Sequence, residues 1–329
     1  MGWPGRKTHR QNSREGVGML HKTGKYSIST VENSRERQPL FMIWIRQLRA
    51  AQWVKNVLVF LPAVAGHQLG NKYVLTREIL LFIAFCCVAS GVYLVNDLFD
   101  YRADCLHPRK RQRPISAGLI SPRSAVVVAT MLLVLGTTAG FALDPSTGLW
   151  LIGYAIANLA YSWHIKKTLI ADIILLTGFY LVRVLAGGSA AGIVVSPWLL
   201  AFCFALFFSL AACKRYSELN VLEENHGVQF RRRAYLREDA STIHMIGVAA
   251  AFSAVLILGL YVDSASAKSL YRHPELLWLC CPLLLYWLLR LWVVAGRGKL
   301  PDDPLVVTIS DWRAWVVGFA VTLVWYAAI

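Results

Sequence analysis

Three aspartates and one asparagine are the best candidates for chemistry in this chain. They lie in the stretch Asn96-Asp97-Leu98-Phe99-Asp100-Tyr101-Arg102-Ala103-Asp104. Aspartates at i, i+3 and i+7 share one face of a helix, and Asn96, four residues before Asp100, joins that face. Carboxylates gathered in this way repel one another and are costly beside lipid. A bound cation offsets that cost. Hard oxygen ligands on one stripe suit Mg²⁺, which takes one or two carboxylates and shares a substrate's phosphates. The competing reading is a solvated helix end whose acids pair with nearby arginines.

Cations supply the second half of the pattern. The run His107-Pro108-Arg109-Lys110-Arg111-Gln112-Arg113-Pro114 follows the acidic stripe directly. Guanidinium forks match phosphate oxygens two at a time, and the same run also serves as a topology anchor. Gln52, Lys55 and Asn56 surround Trp53 and Val54 at the opening of the first apolar segment. Either they face a cavity and hold an anionic headgroup, or the segment is an interfacial anchor. Tyr161 and Lys166 lie at the end of the fourth segment, where cations are favoured electrostatically in any case. Arg183 is embedded in Tyr180-Leu-Val-Arg-Val-Leu-Ala-Gly-Gly and needs an anion, from either a salt bridge or a substrate phosphate. Lys214-Arg215-Tyr216-Ser217-Glu218 ends the sixth segment and can pair internally or close over a phosphate. Asp302, Asp303 and Asp311 precede the last segment; helix capping is their default role, with a secondary contact at a site mouth as the alternative.

The elements that must position these groups are apolar. The 329 residues are 56% hydrophobic and only 16% charged, with a mean hydropathy of +0.48. Soluble domains are less apolar than this. Nine segments have the character of membrane helices: 42–68, 79–99, 122–142, 147–165, 169–192, 197–213, 243–262, 275–294 and 312–328. The expected fold is an all-α polytopic bundle over residues 41–329. Residues 1–40 are polar and basic, without a signal-peptide core, and read as a disordered cytoplasmic tail. Gly187-Gly188 offers a place for close helix approach.

Lysine and arginine are concentrated in the loops after the second, fourth, sixth and eighth segments. The opposite loops hold only Lys72, Arg77, Lys268 and Arg272. The positive-inside rule then places the amino terminus and all the candidate chemistry on the cytoplasmic side of a cell (inner) membrane. The formal net charge of +15 follows from this topology and suits phosphate-bearing substrates at an anionic leaflet; it is not read as nucleic-acid binding. Six of the seven cysteines lie in or at the ends of apolar runs, without zinc-ligand spacing, and read as small apolar filler. Arg183 is the only clear mid-helix charge in this reading, which disfavours a transporter and favours an enzyme open to the cytoplasm.

On the motif Asn96-Asp97-x-x-Asp100-x-x-x-Asp104 and the nine-segment pattern, residues 42–329 resemble the UbiA superfamily of intramembrane prenyltransferases. One departure narrows the resemblance. Most such prenyltransferases carry a second motif, DxxxD, after the sixth helix, where this chain has Lys214-Arg215-Tyr216-Ser217-Glu218. That substitution resembles the subgroup of decaprenyl-phosphate phosphoribosyltransferases. So do Gln52-Trp53-Val54-Lys55-Asn56, Tyr93-Leu94-Val95-Asn96-Asp97, His107-Pro108 with Lys110-Arg111, Arg113-Pro114-Ile115, and Arg183 with Gly187-Gly188.

The resemblance implies transfer of 5-phosphoribose from phosphoribosyl diphosphate to a polyprenyl (decaprenyl) phosphate, feeding arabinose donors for cell-wall glycans. It implies Mg²⁺ at Asp97, Asp100 and Asp104. Substrate contacts are expected among Gln52, Lys55, Asn56, Asn96, Arg109, Lys110, Arg113, Tyr161, Lys166, Arg183, Lys214, Arg215, Tyr216 and Glu218. The alternatives are a conventional prenyltransferase using prenyl diphosphate and, from another class, a lipid-phosphate transporter.

Overall fold

The computed structural model describes residues 39–106, 110–224, 235–300 and 303–329, and the side chains of all of these but 221–224. The tail expected over residues 1–40 therefore lies almost entirely outside the described residues, as does Arg109. The compact unit that carries the site is Ile43–Ile329.

Capping chemistry sets most of the helix starts. After α1 (Leu40–Gln47), a 3-10 segment (Ala50–Phe60) runs into α2 (Leu61–Ala65). The Asn71 side chain accepts the Tyr73 amide and opens α3 (Lys72–Phe99). A short α4 (Tyr101–Cys105) continues from the turn at Asp100. Ser121-Pro122 and Asp144-Pro145 each combine a capping oxygen with a proline in the first turn, starting α5 (Pro122–Leu143) and α6 (Pro145–Trp163). Then follow α7 (Ala171–Ala191), α8 (Pro197–Glu224), α9 (Ala240–Val262), α10 (Ala265–Leu270) and α11 (Cys280–Gly296). Asp303 caps α12 (Pro304–Ser310) and Asp311 caps α13 (Trp312–Ala328), so the capping role expected of these two acids holds.

The protein is an all-helical multi-pass membrane bundle among the described residues, but nine full spans is more than the structure supports. Six helices are long and apolar enough to cross a membrane, or seven if α12 and α13 form one span bent by 91°. The first predicted segment is broken at Arg49, whose left-handed backbone (φ 56°, ψ 48°) separates α1 from the 3-10 segment. The fourth, α6, is apolar only in its middle: Pro145, Ser146 and Thr147 open it, while Asn158, Ser162 and Trp163 dilute its end.

Two apolar cores share α7. One joins α3, α6, α7 and the 3-10 segment around Val59, Phe85, Val88, Leu151 and Ala186. The other joins α7, α8, α9 and α11 around Ile173, Val184, Phe207, Leu288 and Trp292. The 3-10 segment packs against both α3 and α7, which brings Lys55 and Asn56 next to Arg183. Arg183 is not the only buried charge in the spans: Glu78 in α3 and Asp172 in α7 are fully buried as well.

Candidate active site

The acidic stripe forms one pole of the site. Asp97 is 2% exposed and accepts three side-chain donors. Gln47 Nε2 lies 2.8 Å from Oδ2, while Arg49 Nη2 and Arg113 Nη1 lie 2.6 and 2.8 Å from Oδ1. The same Arg113 nitrogen reaches Asp104 Oδ2 at 2.5 Å, and Lys110 Nζ lies 3.9 Å from Asp104 Oδ1. Arg46, Gln47, Arg49, Asp97, Lys110 and Arg113 line a cavity of about 270 Å³ here.

Local structure explains why the first turn reaches this point. The Arg49 guanidinium lies 4.6 Å from the centre of the Tyr93 ring while pairing with Asp97. Ser90 Oγ donates to Leu48 O and accepts Trp53 Nε1. A left-handed non-glycine residue costs of order 1–3 kcal/mol and persists only where its surroundings hold it. The Asp97 pair and the Tyr93 ring hold Arg49 in that conformation.

Two of the three predicted metal-ligating aspartates therefore meet, and they meet on an arginine. Asp100 lies at the turn between α3 and α4, away from the shared guanidinium. Among the described residues no three acids are grouped as a metal-ligand set. The donor chemistry of Asp97 and Asp104 nonetheless fits a divalent cation. Their oxygens already converge on one positive atom, and Mg²⁺ commonly takes one or two carboxylates.

The second pole is cationic and is built around Asp303, whose default reading from sequence is a helix cap. Asp303 Oδ2 accepts both Lys55 Nζ at 2.6 Å and Lys214 Nζ at 2.9 Å. Its Oδ1 faces Tyr180 Oη at 3.4 Å and takes the Leu305 amide at 3.3 Å. Burial pushes the Asp303 carboxyl up, but the ammonium groups of Lys214 and Lys55 outweigh burial and hold it well below the ordinary carboxylate range.

Arg183, 3% exposed, has neutral partners among the described residues. Its Nε donates to Asn56 Oδ1 at 2.8 Å, its Nη2 to Tyr154 Oη at 2.9 Å, and its Nη1 to the Phe179 carbonyl. Of the two readings open for Arg183, a salt bridge within the chain is absent among the described residues.

Other predicted residues are placed in structural roles. Arg215 Nε binds Asp172 Oδ2, its Nη1 binds Glu218 Oε2, both at 2.6 Å, and its Nη2 donates to Tyr161 Oη at 2.8 Å. Tyr235 Oη closes the network on Asp172 Oδ1 at 2.6 Å. Arg215 is 2% exposed, so this cluster ties α6, α7 and α8 together beneath the mouth. The Tyr216 ring packs against His244 and Trp292, at 5.1 and 5.7 Å between centroids. Gln52, Asn96 and Lys166 are partly exposed and belong to neither ion-pair cluster. Gln47, Arg49 and Asp172 are residues that motif reasoning missed, whereas Asp303 is read from sequence as a helix cap with a contact at the site mouth as the alternative. Asp172 left a trace, as an acid near the start of the apolar run 169–192.

The comparisons agree with this architecture. Residues 59–312 match the UbiA prenyltransferase family. The chain is 30% identical over 305 residues to uncharacterized protein y4nM of Sinorhizobium fredii, covering 92% of this chain but only 59% of that longer relative. It is 31% identical to nodulation protein NoeC of Azorhizobium caulinodans, over 86% of this chain and 93% of the relative. It is 34% identical to decaprenyl-phosphate phosphoribosyltransferase of Mycolicibacterium smegmatis, over 81% and 86%. In fold it is similar to a UbiA homologue from Archaeoglobus fulgidus solved with GPP and Mg²⁺, at a TM-score of 0.63 and 19% identity over 87% of this chain and 99% of that one. With a family match over most of its length and relatives of 31% and 34% identity covered nearly end to end, this chain belongs to the UbiA prenyltransferase family and is a membrane transferase.

Proposed function

We propose that this transferase moves 5-phosphoribose from phosphoribosyl diphosphate to a polyprenyl phosphate on the cytoplasmic side of the membrane. The observation that carries the reading is the cationic pole: Lys55 and Lys214 converge on one carboxylate oxygen beside an Arg183 that has no acidic partner among the described residues. A second acidic motif would grip a prenyl diphosphate through cations. This pole instead suits direct contact with phosphate oxygens. The likeness to a relative named as a decaprenyl-phosphate phosphoribosyltransferase supports it.

In this reading Asp97 and Asp104 would hold Mg²⁺, with Asp100 at the neighbouring turn as a third acid, and Arg113 would be available to the donor's phosphates. The chemistry supplied by the metal is charge neutralisation on the departing diphosphate. Lys55, Lys214 and Arg183 bind phosphate oxygens. Lys110, Gln52 and Lys166 are secondary contacts, and the buried Asn56 orients Arg183. The C1–O bond to diphosphate breaks, the carbon gains cationic character, and an oxygen of the already ionised lipid phosphate forms the new bond. No strong base is needed. Nearby carboxylates stabilise the developing positive charge. The product is a polyprenyl phosphosugar of the kind that supplies pentose for surface glycans.

The test is a transfer assay on membranes carrying the protein, with labelled phosphoribosyl diphosphate, polyprenyl phosphate and Mg²⁺. Label enters the lipid fraction, and this is lost with EDTA or with Asp97→Asn plus Asp104→Asn. Absence of label, together with turnover of a prenyl diphosphate on an aromatic acceptor, refutes the proposal in favour of conventional prenyl transfer.

A further inference from the structure

We infer that Asp303 is a built-in stand-in for a substrate phosphate, an internal anion that holds Lys55 and Lys214 until a phosphate oxygen displaces it. The inference rests on reading the cationic pole as a phosphate site and assigns a function to a residue outside the recognised motifs.

Three observations carry it. First, both ammonium groups bind the same atom, Asp303 Oδ2, at 2.6 and 2.9 Å. An ordinary ion pair needs one lysine for one carboxylate. Two lysines gathered on a single oxygen, with Arg183 nearby and paired to neutral groups among the described residues, crowd three cations around one buried carboxylate. A buried excess of cations calls for a polyanion. Second, the carboxylate divides its work. Oδ1 caps α12 through the Leu305 amide, and Oδ2 alone faces the lysines. The cap survives when the lysines leave, so displacement does not require α12 to unfold. Third, the lysines have a way out. The Lys214 side chain is 27% exposed and that of Lys55 12%, against 4% for Asp303. The carboxylate lies behind the ammonium groups, and an arriving phosphate meets the lysines first.

An internal competitor lowers apparent affinity by the fraction of time it leaves the site free. Asp303→Asn removes the charge while keeping a side chain that caps a helix well. The experiment measures calorimetric binding of two probes to the full chain in maltoside micelles: inorganic diphosphate for the donor, and farnesyl phosphate for the lipid acceptor. The proteins are wild type, Asp303→Asn, Asp303→Ser as a second capping variant, and Lys55→Ala plus Lys214→Ala.

The expected result is roughly tenfold tighter binding of at least one probe to the Asn or Ser variant, with that binding lost in the double lysine variant. The probe that gains identifies which phosphate takes the place of Asp303. Unchanged or weaker binding of both probes overturns the inference and makes Asp303 a positioning residue for the lysines. The transfer assay on wild type is independent of this result. Transfer without tighter binding refutes the stand-in alone, whereas absence of transfer refutes the reaction assigned above.

Discussion

Gly187→Ala tests the close approach on which the cationic pole depends. Gly187 lies one turn beyond Arg183 on α7, against the 3-10 segment that carries Lys55 and Asn56. A Cβ built there falls 2.0 Å from the Val59 carbonyl oxygen, 2.9 Å from its carbon and 3.1 Å from its Cα. Ordinary contact begins near 3.4 Å, so backbone must part from backbone by up to about 1.4 Å. No flexible side chain can absorb that displacement. Overpacking of this kind costs about 1–3 kcal/mol. The same movement stretches the 2.8 Å bond from Arg183 Nε to Asn56 Oδ1, and losing a hydrogen bond to a charged group costs roughly 1.5–3 kcal/mol more. Because the two effects arise from one movement they are not additive, and the expected loss is about 2–4 kcal/mol. Gly178→Ala on the same helix is the control, since its nearest neighbour is Leu175 Cδ1 at 4.0 Å; that change is neutral or slightly stabilising. Unfolding of both variants in micelles, with diphosphate binding as a second readout, decides the matter. A Gly187→Ala protein within about 0.5 kcal/mol of wild type, with binding intact, refutes this geometry and the coupling of α7 to the 3-10 segment.

Asp172→Asn leaves Arg215 without its buried carboxylate and should destabilise the fold by about 3–5 kcal/mol; loss of transfer without loss of thermal stability would assign the cluster to substrate instead. Arg183→Met should weaken diphosphate binding at least tenfold while changing stability by only about 1–2 kcal/mol, because it also removes a buried charge whose partners are neutral; a collapse in stability with binding retained contradicts the anion-site role. The pH dependence follows from Asp303, whose carboxyl is held below its ordinary value. A depressed carboxylate stabilises the fold above the unfolded value of about 4 and loses that contribution as pH falls through the folded value. On the acid side the melting difference between wild type and Asp303→Asn should therefore shrink only below about pH 4; toward pH 8 it also narrows, because burial brings the Lys55 ammonium down to about 8 and the pair loses one of its cations there. A difference that fades as pH falls from about 7 to 5 is incompatible with this ion pair.

What the sequence made legible was local. The stripe from Asn96 to Asp104, the capping acids before α12 and α13, and the close contact at Gly187 all lie within a few residues of the pattern that announces them. The span count was less secure because apolarity does not report a broken backbone. Arg49 looks like one more interfacial cation, yet its left-handed turn splits the first segment and delivers its guanidinium to Asp97. The cationic pole was only half visible. Lys55, Arg183 and Lys214 were recognisable as buried or interfacial cations, but the carboxylate that gathers two of them lies 248 residues from Lys55. An aspartate before a proline is fully explained as a helix cap, and that explanation is correct for Oδ1. Nothing in the local pattern reports on Oδ2. A residue that closes a helix turn and also gathers groups from distant elements, here Lys55, Tyr180 and Lys214, is found only once the chain is folded. Asp303 is such a residue, and its cap is the part of its role that the local pattern shows.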